Sequence, residues 1–261
     1  MAKLIAVFNI KGGVSKTTTT VNLAYLAASY GYKTLIWDMD PQGAASFYFR
    51  VKDKVKGGLN GLLKSKKEVY QRIKGTDYRN LEILPADQSY RLMDQELRNA
   101  RRKSARDVRN ILKPLMDEYD VILVDCPPNL SESVAGLISG ADFLLVPAIP
   151  TILSLRTVEQ LFKFMNTSLK TRPETRIFFS QVEKRRAMHQ EIIEKFILKN
   201  SDFAFHTLIP ISSELEKMGV SLEPFPKTSP SHHITQLYQM LWEEIESELA
   251  LTRPSILGFS S

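Results

Sequence analysis

The chain has 261 residues, 43% hydrophobic and 25% charged, with a net charge of +6 and a pI near 9.2. That length can bury a substantial core, and the basic balance suits an acidic partner, of which nucleic acid is the commonest. The single cysteine, Cys126, excludes an intramolecular disulfide and any metal centre of several thiolates. No run approaches the roughly 18 apolar residues of a membrane span, and no apolar leader with a cleavage site is evident, so the expectation is a cytoplasmic protein.

An apolar strand is expected at Lys3 to Phe8 and a helix from Thr17 to about Tyr30, with Gly31 as its stop. Between them lies Asn9-Ile10-Lys11-Gly12-Gly13-Val14-Ser15-Lys16-Thr17-Thr18. Gly12 and Gly13 let the backbone turn tightly and bring its N–H groups against an anion, and the helix N-terminus adds its positive end. Lys16 supplies a point charge for terminal phosphates, and the Thr17 hydroxyl is placed to ligate magnesium. The stretch therefore reads as a phosphate-binding loop, although it misses the strict G-x-x-x-x-G-K-[ST] pattern at Ile10 and Ser15.

A second buried strand, Lys33 to Trp37, delivers Asp38-Met39-Asp40-Pro41-Gln42-Gly43 at its carboxyl end, where open α/β sheets keep their ligands. From Arg50 to Lys74, nine positive charges face only Asp53 and Glu68; this reads either as a solvated insertion or as a patch for nucleic acid or a partner. A third strand is expected at Leu81 to Leu84, followed by basic helical sequence through Arg98, Arg101, Arg102, Lys103, Arg106 and Arg109.

Tyr119 to Asp125 is a continuous apolar run ending in a carboxylate, a Walker B pattern in which Asp125 would hold magnesium through water. Cys126 reads as a small buried filler, since no base accompanies it. Further strands are expected at Ala141 to Pro147, Arg176 to Ser180 and Phe205 to Pro210, with an apolar helix from Val158 to about Leu169. The last helix, Ile234 to Leu251, sets Leu237, Met240, Leu241, Ile245 and Leu249 against Glu243, Glu244, Glu246 and Glu248. Its acidity opposes docking on an anionic membrane, so packing on the sheet is expected. His232 and His233 read as surface residues.

The loop, with its extra lysine at Lys11, resembles the deviant K-G-G-x-G-K-T-T loop of the ParA/Soj/MinD class of Walker-type ATPases, and Asp38 to Gly43 resembles that class's D-x-D-P-Q-G. The resemblance runs from the N-terminus to about residue 250. It implies a single α/β P-loop NTPase domain over 1–250, a doubly wound, mostly parallel sheet flanked by helices, with a tail at 251–261. By the same resemblance Lys11, Gly12, Gly13, Val14, Ser15, Lys16, Thr17, Thr18 and Pro210 bind ATP. Thr17, Asp38 and Asp125 serve Mg2+, and Lys11, Lys16 and Asp40 are catalytic. Lys11 would reach across a nucleotide-sandwich homodimer, Asp40 would direct hydrolysis, and Cys126-Pro127-Pro128 would form a switch segment.

Ser15 stands where the class has glycine; a left-handed backbone there would add strain of about 1–2 kcal/mol. Arg185, with Lys184 and Arg186, matches a segment that several members use for non-specific DNA binding, whereas Ile211 replaces a second arginine. The implied function is positioning or segregation of a plasmid, a chromosome or a protein assembly. A ParB-like or cargo-adaptor partner would stimulate slow hydrolysis, and the ATP state would sit on the nucleoid. A dimeric nucleotide-binding scaffold with little turnover, or a MinD-like membrane-surface regulator, are the alternatives.

Overall fold

Apolar runs form strands because a sheet covered on both faces needs no polar side chain along them. In β1 (Lys3–Val7), Leu4 and Ala6 enter one core and Ile5 and Val7 the other. The same alternation divides β2 (Thr34–Asp38): Leu35 and Trp37 pack on one side, Ile36 on the other. The computed structural model describes residues 1–52, 58–62, 66–99 and 111–254. Lys54, Lys56, Lys64, Arg101, Arg102, Lys103, Arg106 and Arg109 lie outside these, as does the tail from 255 onward.

The remaining strands are β3 (Lys74–Gly75), β4 (Leu81–Leu84), β5 (Val121–Asp125), β6 (Phe143–Ala148), β7 (Glu174–Val182) and β8 (Ala204–Pro210). They form one sheet in the order β3-β4-β2-β5-β1-β6-β7-β8, parallel throughout except for β3 on the edge. This is a doubly wound, mostly parallel sheet of the P-loop NTPase kind. β1 is central, with β5 on one side and β6 on the other, so the loop after it opens at the topological switch point where such sheets bind ligands.

Helices α1 (Lys16–Ser29), α2 (Ala44–Tyr48), α3 (Met93–Asn99), α4 (Glu132–Gly140), α5 (Ile152–Ser168), α6 (Ala187–Lys199) and α7 (His233–Glu248) flank it. α1 and α7 share one core, whereas Val134, Leu137, Val158, Leu161, Met165 and Ile193 of α4, α5 and α6 fill the other. Several sequence expectations shift. α5 begins at Ile152, six residues before the Val158 start expected, because the Thr151 hydroxyl accepts from Ser154 N at 3.3 Å and caps it. Its first turn exposes Ile152 and Leu153, which breaks the apolar period on which the sequence reading relied.

α7 does pack inward, but through Ile234, Tyr238, Leu241, Trp242 and Ile245, while Met240 is half exposed. Glu246 is not on the solvent face: it is buried, accepts from Tyr32 Oη at 3.0 Å and pairs with Arg253 at 2.6 Å. Burial pushes its carboxyl upward, yet the Arg253 and Tyr32 hydrogen bonds outweigh that and hold it below the usual range. His232 is also more than a surface residue, since its Nδ1 accepts from Ile234 N at 3.2 Å and caps α7.

Candidate functional site at the phosphate loop

The loop between β1 and α1 is built around backbone that faces open space. A Cβ added at Gly12 or Gly13 would meet nothing within 4 Å, and Gly13 has φ +71°, a conformation that favours glycine. This is a cradle a phosphate could enter, at the N-terminus of a 14-residue helix. Asn9, fully buried, ties its base: Nδ2 donates to Pro147 O at 2.8 Å, and Oδ1 accepts from Lys11 N at 2.9 Å. Lys16 Nζ lies 3.1 Å from Lys11 O. Burial lowers the Lys16 pKa, while Asp125, Cys126 and Asp40 pull it back.

Below the loop, Thr17 Oγ1 donates to Asp125 Oδ2 at 2.7 Å. Asp125 is fully buried and its Oδ1 has no hydrogen-bond partner among the described residues. Asp38 pairs in register with Asp125 across β2 and β5. Its Oδ2 accepts from both Ser46 N, at 2.7 Å, and Ser46 Oγ, at 2.8 Å, so it also fastens α2. Burial raises both acids: Asp38 is pushed up to about 7, and Asp125 well above the carboxylate range, with Asp38 as its next cause. Two acids stranded in a dry place, each with an Oδ1 that has no hydrogen-bond partner among the described residues, suit a hard cation with oxygen ligands. Cys126 is buried and its thiol pushed up by burial, as expected of a filler.

A cavity of about 450 Å³ opens above this floor. Of the residues singled out in the sequence it is lined by Gly12, Gly13, Ser15, Lys16, Thr17, Thr18, Asp40, Pro128 and Pro210. Asp40 Oδ1 accepts from Gln42 N at 2.9 Å, which holds the carboxylate at the turn. Lys11 and Val14 do not line the cavity: Val14 is buried beneath the loop, and Lys11 is half-buried beside it. Tyr48, Gln181, Ile209, Ser212, Leu215 and Glu216 line it without having been foreseen, as does Ile211, which the sequence singled out only as the replacement for an arginine. Ile209, Ile211 and Ser212 flank Pro210 and could have been found from it, whereas the neighbourhoods of Tyr48, Leu215 and Glu216 carry no motif and only the fold brings these and Gln181 to the loop.

Ser15 has φ 68° and ψ 26°, so the left-handed conformation considered from the sequence is the one adopted. Lys184, Arg185 and Arg186 are exposed on the loop after β7. Arg186 pairs with Glu183 at 3.1 Å, and Lys184 and Arg185 border a second cavity that shares Pro210, Ile211 and Ser212 with the first. Between that loop and α6, buried His189 Nδ1 accepts from Glu183 N at 3.1 Å.

Sheet order, loop and floor together define a P-loop nucleotide-binding protein. An AAA-domain family model (AAA_31) matches residues 2–179, well over half the chain. The chain belongs to that family and, being 30% identical over 83% of its length to the chromosome-partitioning ATPase Soj of Treponema pallidum, of which it covers 86%, to the ParA/Soj family of partitioning ATPases. It is 28% identical over 253 residues to the sporulation initiation inhibitor protein Soj of Bacillus subtilis, covering 94% of this chain and 98% of that one. It is 35% identical over 162 residues to the chromosome partitioning protein ParA of Myxococcus xanthus, covering 62% of this chain and 57% of the relative. In three dimensions it is similar to apo McdA of Cyanothece, with TM-score 0.81 and 18% identity over 94% of this chain and all of the other. Pyrococcus horikoshii MinD with Mg-ADP gives TM-score 0.75 and 22% identity, over 98% and 100% of the two chains. At those identities the structural likenesses establish the fold. Among the described residues no helix is long and apolar enough to cross a membrane.

Proposed function

We propose that this chain is an ATP- and magnesium-dependent ATPase that closes as a homodimer around its nucleotide and positions cargo. Closure would permit non-specific DNA binding, and a ParB-like or cargo-adaptor partner would stimulate hydrolysis. The observation that carries the reading is the Thr17–Asp125 contact of 2.7 Å beneath a glycine cradle, with an unpaired buried carboxylate oxygen beside it. The MinD neighbour contains Mg-ADP and a McdA neighbour was solved with ATP, which supports the same ligands here.

In this reading the loop N–H groups from Gly12 to Thr18 bind the phosphates and Lys16 places its charge at their terminal oxygens. Thr17, and Asp125 through water, would hold magnesium, with Asp38 a second carboxylate one strand away. The ion would supply charge neutralisation on the phosphates. Asp40, on the cavity wall, orients the attacking water. Tyr48, Ile209, Pro210, Ile211 and Leu215 form the apolar side of the cavity against the rest of the nucleotide. Lys11 lies outside its own chain's cavity, which suits a side chain that serves the partner's phosphates. Lys184, Arg185 and Arg186 supply phosphate contacts to DNA.

The test is steady-state phosphate release with and without DNA. Asp40→Ala is expected to keep ATP binding and to lose about 100-fold or more of the rate. A stimulated rate that survives Asp40→Ala sinks the catalytic assignment, and normal ATP-dependent dimers from Lys11→Ala sink the cross-subunit role. ATP-driven dimers of the unaltered protein with no release above background would favour the low-turnover scaffold instead.

A further inference from the structure

Successive residues of a strand point to opposite faces, so two neighbours should not reach the same loop. Ser180 and Gln181, at the end of β7, both do. Ser180 Oγ donates to Val14 O at 3.1 Å; Gln181 Nε2 donates to Gly13 O at 2.6 Å and lies 3.1 Å from Ser15 Oγ. The break in alternation has a backbone cause: Gln181 is left-handed, with φ 53°, and the β7–β8 register shifts between Phe179 and Val182. Both residues of the Gln181–Ser15 contact thus hold a conformation that non-glycine residues rarely adopt.

The orientation of the amide follows from its partner. A carbonyl only accepts, so the end of Gln181 facing Gly13 O is the NH2, and its second hydrogen is free for Ser15 Oγ. Ser15 is the residue preceding α1, where a serine hydroxyl ordinarily caps; here it makes no capping bond. With the carbonyls of 13 and 14 held toward β7, planar trans peptides turn the Val14 and Ser15 N–H groups the other way.

We propose that Gln181 is a positioning residue for the nucleotide: it latches the phosphate loop in its anion-binding form and holds Ser15 in a conformation that glycine would adopt unaided. The inference rests on the nucleotide reading above and adds to it the residue that preorganises the loop. Lining the cavity itself, Gln181 also ties the loop to the segment carrying Lys184 and Arg185, three and four positions on.

The experiment measures Mg-ATP binding by calorimetry, and KM and kcat by phosphate release, for Gln181→Glu, Gln181→Met, Ser15→Gly and the Ser15→Gly/Gln181→Met pair. The glutamate is isosteric but has no hydrogen to donate, and Met keeps length and packing. Both are expected to weaken binding about 3- to 10-fold, the value of one or two neutral hydrogen bonds, and to raise KM with kcat little changed. Introduced on top of Ser15→Gly, the Gln181→Met change should cost less than it does alone, because glycine needs no latch. Nucleotide-free melting temperatures, expected to match the unaltered protein, separate loop preorganisation from misfolding. Unaltered protein that binds Mg-ATP while Gln181→Glu and Gln181→Met bind equally well overturns the latch alone. Equal losses from Gln181→Met in the unaltered and the Ser15→Gly backgrounds also overturn it. Unaltered protein that binds no Mg-ATP overturns the nucleotide reading and the latch with it.

Discussion

Thr17 and Asp125 are 108 positions apart and meet at 2.7 Å, the hydroxyl at the start of α1 donating to the carboxylate at the end of β5. The meeting is a consequence of strand order. β1 and β5 are adjacent and in register from Lys3 opposite Val121 to Val7 opposite Asp125, so the loop after one ends above the carboxylate that closes the other.

That contact sits on an acid whose ionisation is opposed by burial. Asp125→Asn removes the burden of ionising it, so the nucleotide-free protein is expected to melt at least as high as the unaltered one. Magnesium-dependent ATP affinity should fall about 10- to 100-fold, and with it the ATP-induced rise in melting temperature. Thermal melts with and without Mg-ATP check both halves; an unchanged ATP-induced shift would remove Asp125 from the proposed metal site.

Asp94 of α3 accepts from Glu132 N at 3.0 Å and from Ser133 N at 2.9 Å, so one helix caps the next directly behind the Cys126 to Leu130 segment. Asp94→Ala is expected to destabilise the protein by about 1–2 kcal/mol, the range for loss of a charged cap. Urea unfolding measures it. A change below about 0.3 kcal/mol would show that water replaces the carboxylate fully.

His189 provides a pH response. Burial lowers its pKa, Arg186 lowers it further, and Glu183 opposes them. Protonation would also end the acceptance from Glu183 N and leave Nε2, already without a partner among the described residues, as a second buried donor. The folded pKa therefore lies below the ordinary value, and the unfolded chain takes the proton first. Stability is full above about pH 6.5 and falls as pH drops from there toward the folded pKa. His189→Asn keeps an acceptor near the Nδ1 position and should flatten melting temperature between about pH 5 and 7, relative to the unaltered protein. Parallel profiles would count against a neutral His189.

On DNA, Lys184→Ala/Arg185→Ala is expected to weaken ATP-dependent binding for every sequence tested. It should also reduce the slope of log affinity against log salt by roughly 1 to 2, one phosphate contact being worth about 0.9. Among the described residues neither side chain has a carboxylate partner within salt-bridge distance, so their charge is available. An unchanged slope would move the DNA surface elsewhere on the molecule.

Local chemistry was readable without coordinates wherever one stretch carries its own physical reason. Gly12 and Gly13 before Lys16-Thr17, the apolar run into Asp125, and Asp38 and Asp40 after a buried strand each state a phosphate or metal role in neighbouring residues. The parallel strands were legible for the same reason, since burial on both faces leaves an unbroken apolar run. α5 was misplaced at its start because a capping threonine followed by exposed Ile152 and Leu153 gives no amphipathic period.

Short-range spacing and side-chain period in the sequence marked the glycine loop, the apolar strands and the acids that end them, and the resemblance those motifs carry implied the layered α/β fold. Only the tertiary structure decided how the loop is held. Asn9 reaching Pro147 O and Gln181 bridging Gly13 and Ser15 are contacts between segments joined by strand order. A hydrogen bond across 166 or 168 positions leaves no periodic trace in either segment, because its two ends become neighbours only when the sheet closes.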